Sequence, residues 1–122
     1  MDQSKINVRY AKAFFELAKE KGLTQELRKD AGLISSVCSS SSDFNLLLDS
    51  PVIKTSQKSE AIKLIFSEKV HPLSLKFLLL ITENKRENYI PGIFRNLEDM
   101  YRREEGIKAA VLTSAQPLNE SL

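Results

Sequence analysis

Apolar residues recur at helical spacing in six stretches of the chain, and a short remainder lacks that period. Over residues 4–21, Ile6, Tyr10, Ala13 and Leu17 fall on one stripe at about 100° per residue, with Ala11, Phe14, Phe15 and Ala18 on a second stripe beside it. Gly22 follows as a helix stop. A second helix is predicted from Thr24, as N-cap, to about Ser39, with Leu27, Ala31, Ile34, Val37 and Cys38 three or four apart. The serine run around Cys38 interrupts it, because hydroxyls compete for backbone groups. Asp43 is the expected cap of a short helix carrying Phe44, Leu47 and Leu48, which must end before Ser50-Pro51. Thr55 or Ser56 then caps a fourth, with Ile62, Ile65 and Phe66 inward, and His71-Pro72 starts a fifth. The sixth, from about Asn88 to Glu105, has the cleanest period, in Ile90, Ile93, Phe94, Leu97, Met100 and Tyr101, and Gly106 is its expected end.

The fifth helix contains KFLLLITENKR, in which Phe77, Leu78, Leu79, Leu80 and Ile81 are consecutive. A surface helix needs one apolar face, and this run covers nearly all of them. By angle, Leu73, Phe77, Leu80 and Asn84 share one stripe, and Leu78 and Ile81 the next. The first and fifth helices thus carry more apolar surface than a single neighbouring layer needs. Either both lie wholly inside the bundle, or together they leave a groove for a partner helix, a common recognition mode.

Composition agrees with an all-α domain. The 122 residues suffice for one ordinary core, and four Gly and four Pro among many Leu, Ala, Lys and Glu favour helix. The 18 basic and 16 acidic residues are interspersed, so no phosphate-binding face stands out. The longest apolar run is far short of the roughly 20 residues of a membrane span, and the N-terminus lacks the apolar centre of a signal peptide. A soluble, cytoplasmic chain is expected. Cys38 is alone, so it forms no intrachain disulfide and no metal pair. His71 is the only histidine, the four glycines are isolated, and Glu98-Asp99 and Glu104-Glu105 read as solvated charge. No catalytic, cofactor-binding or metal-binding set is expected, and the class indicated is a binding module.

Four segments in a fixed order carry a resemblance: RYAKAFFELAKEKG at 9–22, SPVIKTSQK at 50–58, ENKRENYIPGIFRNLEDMY at 83–101 and AAVLTSAQPL at 109–118. Together they resemble the N-terminal part of the δ subunit of F-type ATP synthases, the family of the oligomycin-sensitivity-conferring protein. The resemblance implies a six-helix N-terminal domain, here residues 1–105. It also implies a non-catalytic role in the peripheral stalk, the stator that joins the catalytic head to the membrane sector. Its expected place is peripheral, on the cytoplasmic face of the bacterial inner membrane, without insertion into the membrane and without nucleic acid.

In that family the first and fifth helices bind the N-terminal helix of an α subunit. By position this implies Tyr10, Ala13, Leu80 and Asn84 on the binding face, and the angular argument adds Ile6, Leu17, Leu73 and Phe77. Family members continue into a C-terminal domain that engages the b subunits. Residues 106–122 are therefore expected to be a linker and the first strand of that domain, in a truncated chain. The alternative is a small helical RNA-binding or adaptor domain of the NusB type, also all-α with a similar first helix; balanced charge and an apolar candidate face argue against it.

Overall fold

At Gly22 the backbone enters the left-handed region, with φ +68°, and there the first helix stops. The amide of Gly22 donates to the carbonyl of Lys19, and that of Leu23 to the carbonyl of Ala18, so the last open carbonyls are satisfied. The computed structural model describes residues 3–115, with side chains described over 5–107. Among them are six α-helices: α1 (Gln3–Glu20), α2 (Thr24–Ser40), α3 (Ser42–Asp49), α4 (Thr55–Phe66), α5 (Pro72–Glu83) and α6 (Ile90–Ala115). A 3-10 turn, Glu87–Tyr89, leads into the last.

The apolar stripes meet in one core. Ala11, Phe14 and Ala18 of α1, with Leu27, Ala31 and Ile34 of α2, are fully buried together with Ile90, Ile93, Phe94 and Leu97 of α6. Here α6 is the spine on which α1 and α2 pack, while α4 packs on α5. Burying a Phe, Leu or Ile contributes about 1.5–3 kcal/mol, so the fully buried Ile90, Ile93, Phe94 and Leu97 make α6 a major contributor to the core. At Gly92 α6 packs tightly against α1, since a Cβ there would lie 2.3 Å from Nδ2 of the buried Asn7.

The helix ends show where local signals mislead. Thr24 is the first residue of α2 and no side chain caps that helix. Ser41, not Asp43, caps α3, its extended backbone bringing Oγ to accept from the Phe44 amide at 3.1 Å. At α4 the cap position is Lys54, whose amide donates to Oε1 of Gln57 at 3.1 Å, leaving Thr55 and Ser56 in the first turn. His71 does start α5, and its Nδ1 accepts from the Leu73 amide at 3.0 Å. After α5, Lys85 takes the left-handed conformation, φ 62°, that Gly22 takes after α1. Its amide donates to Thr82 and that of Arg86 to Ile81, the same terminating pattern without a glycine.

The expected end of α6 at Gly106 is not observed, and the helix runs on to Ala115. Gly106 lacks the positive φ of a stop, and Lys108, Ala109, Ala110 and Leu112 are good helix formers. Of the linker and first strand expected over 106–122, residues 106–115 are helix, where i to i+4 hydrogen bonds satisfy the backbone locally. Residues 116–122 lie outside the described residues.

Two buried charges tie distant elements. Asp30 of α2 accepts from the His71 amide at 2.8 Å and from Oγ of Ser74 at 2.7 Å, placing a carboxylate at the start of α5, where the helix dipole favours one. Lys58 of α4 donates to the Leu48 carbonyl at the end of α3, at 2.9 Å, and to Oε2 of Glu87, at 2.7 Å.

Candidate partner-binding groove

Helices α1 and α5 run antiparallel across one face of the bundle. Tyr10, in the first half of α1, meets Asn84 at the end of α5, while Leu17, in the second half, meets Leu73 at the beginning. They are joined by side chains more than by close backbone packing, because each rests mainly on another helix: α1 on α6, α5 on α4. A furrow remains between them.

Its floor is aromatic. The Phe77 ring lies 4.8 Å from that of Phe14, 6.1 Å edge-on from Tyr10 and 6.4 Å from Phe94, centroid to centroid. Such pairs add about 0.5–1.5 kcal/mol each beyond burial, which holds the floor in place. One end is closed by Nδ2 of Asn84 donating to the Tyr10 hydroxyl at 3.1 Å. Towards the other end, Leu17, Leu73, Lys76, Phe77 and Leu80 line a hollow of about 200 Å³. That is below the roughly 300–1,000 Å³ of small-molecule sites. It suits one or two apolar side chains presented by a partner.

Most of the eight residues expected on a partner-binding face are gathered around this furrow. Leu17, Leu73, Phe77 and Leu80 line the hollow, Tyr10 and Asn84 close its end, and Ala13 is exposed on α1 between them. Leu80 is 47% exposed, unusual for a leucine in so apolar a helix. Phe77 is only 7% exposed and serves as floor, and Ile6 is likewise 7% exposed. Leu78 and Ile81 are fully buried, as their separate stripe implies. Lys76 of α5 supplies a cationic rim.

The described residues contain no cluster of His, Cys, Asp and Glu that could hold a metal ion. Burial pushes the Cys38 thiol up to about 11, only slightly opposed by Arg95, so it is neutral at physiological pH. Burial, with Glu104 adding to it, pushes the Tyr101 phenol up to about 12. No described helix is long and apolar enough to cross a membrane.

The described residues form an all-α bundle with an apolar furrow between two antiparallel helices. The family model for the ATP synthase delta (OSCP) subunit matches residues 6–122, and the chain belongs to that family. It is 34% identical over 112 residues to ATP synthase subunit delta of Synechococcus elongatus, covering 92% of this chain and 62% of that one. For the Symbiobacterium thermophilum subunit delta the values are 33%, 92% and 60%, and for that of Carboxydothermus hydrogenoformans 32%, 93% and 64%. The chain spans about three fifths of the length of these relatives.

Proposed function

We propose that this chain supplies the head-binding part of the peripheral stalk of an F-type ATP synthase, as a non-catalytic clamp on the N-terminal helix of an α subunit. The observation that carries the proposal is the α1/α5 furrow. Four of the eight residues assigned to the partner line its hollow, two close its end and one sits on its α1 bank. The clamp resists the torque of the rotor through affinity and stiffness. An apolar floor fixed by the core gives stiffness, and the rim charges steer the approach more than they supply energy. In this reading the b subunits are met by a further domain, and association with the membrane is peripheral, through the assembled complex.

The test is calorimetric titration of the 122-residue chain with a peptide of the N-terminal helix of the cognate α subunit. Saturable binding is expected, lost in Leu80→Asp and in Ala13→Asp while helical circular dichroism is retained. Full binding by the folded variants would exclude the furrow. Binding that weakens steeply with salt would point instead to a charged ligand such as nucleic acid.

A further inference from the structure

A second apolar surface lies away from the furrow and shares no lining residue with it. Leu46 and Leu47 of α3, with Ser50, Pro51 and Ile53 of the loop that follows, form a shallow depression of about 600 Å³ edged by Asp43 and Asp49. Leu46 is 68% exposed, and Val52, in the same loop, 85%. Single exposed apolar residues need no explanation, but a contiguous apolar patch with a polar rim does.

We propose that this depression is a second docking surface, and that its occupant is a cationic amphipathic helix of another protein chain. The charge of the rim selects the occupant. Among the described residues, Asp43 and Asp49 are the charged ones that line it, on a chain whose formal net charge is +2. Neither is in an ion pair with another described residue. Asp49 is the last residue of α3, at the negative end of the helix dipole, where a carboxylate is disfavoured. Lys58 donates to the preceding Leu48 carbonyl and pairs with Glu87, so it does not offset the charge of Asp49. A helix with Leu or Phe on one face and Lys or Arg beside it fits both the apolar lining and the acidic rim. The chain's own residues 116–122 carry Glu120 and no cation, and so do not match.

The probe is a synthetic helical peptide with leucines at i, i+3, i+4 and i+7 and lysines at the positions flanking that stripe, with a glutamate-for-lysine counterpart as control. It is titrated into the isotopically labelled 122-residue chain and followed by amide chemical shifts. Saturable shifts are expected at Leu46, Val52 and Ile53, at least tenfold weaker binding is expected for Asp49→Lys, and the control should not bind. Leu46→Asp and Val52→Asp, both at exposed positions, should each abolish the shifts with the fold intact. Equal binding of the glutamate peptide, shifts confined to the Leu17 and Leu80 region, or no shifts at all would overturn the proposal. So would self-association of the unliganded chain that Leu46→Asp removes, since the occupant would then be a second copy. The α-peptide titration reads different residues, so either assignment can fail without the other.

Discussion

Nζ of Lys58 lies 2.7 Å from Oε2 of Glu87, with both side chains almost fully buried. The two residues belong to two of the segments that carry the family resemblance, SPVIKTSQK and ENKRENYIPGIFRNLEDMY. Through the additional bond to the Leu48 carbonyl, one lysine fastens the end of α3, the start of α4 and the turn before α6.

Removing one partner from such a pair leaves an uncompensated buried charge. Lys58→Ala is expected to destabilise the fold by about 3–5 kcal/mol in urea unfolding. The double variant Lys58→Met/Glu87→Leu should recover much of the loss, because apolar side chains of similar size incur no desolvation cost. Equal losses in single and double variants would show that the pair is not the source.

Gly92 tests the close approach of α1 to α6. Gly92→Ala would ordinarily favour a helix by about 1 kcal/mol, yet a Cβ there meets three atoms of the Asn7 side chain. The expected result is a net loss of about 1–3 kcal/mol from overpacking. Adding Asn7→Ala, which removes those atoms together with an Oδ1 that has no hydrogen-bond partner, should restore stability. Thermal melts of the two variants decide it.

Phe77 and Leu80 share a stripe but differ in exposure, so their truncations should separate. Phe77→Ala is expected to cost about 3–5 kcal/mol, and Leu80→Ala no more than about 0.5–1 kcal/mol. Loss of α-peptide affinity with unchanged stability is the signature expected of Leu80→Ala alone.

Cys38 predicts an alkaline limit. Its folded thiol titrates at about 11, against 9.0 for an unperturbed thiol. The folded state therefore favours the protonated form. The corresponding stability is fully present below pH 9 and is lost as pH rises towards 11. A shift of this size is worth on the order of 3 kcal/mol, and Cys38→Ala should flatten the decline measured by unfolding between these pH values. Thiol reagents at neutral pH should react with the native protein far more slowly than with the unfolded chain.

The helices and both banks of the furrow were legible in the sequence because hydrophobic burial writes a period into the chain. The buried charges were not, although they left a trace. Asp30 stands three residues after Leu27 and four before Ile34, and Lys58 four before Ile62, both within apolar stripes. Their partners lie 41 and 29 residues away, beyond any local pattern. Helix ends were misplaced by a residue or two because several side chains near each boundary can cap, and only backbone angles choose among them. Gly106 misled for the converse reason: glycine permits a stop without requiring one. Ile6 was placed on the binding stripe by angle, and an angle does not reveal exposure, which at that residue is 7%.

The Phe77 ring belongs to two neighbourhoods at once, touching Phe14 and Phe94 inside and closing the furrow outside. Its identity is therefore not free to drift with that of a bound helix, because any change that reshapes the floor also disturbs the bundle. Ala13 and Leu80, set on the banks, carry no such double duty. Adaptation to a new partner, in nature or by engineering, would therefore be confined to the rims, with depth and stiffness inherited unchanged.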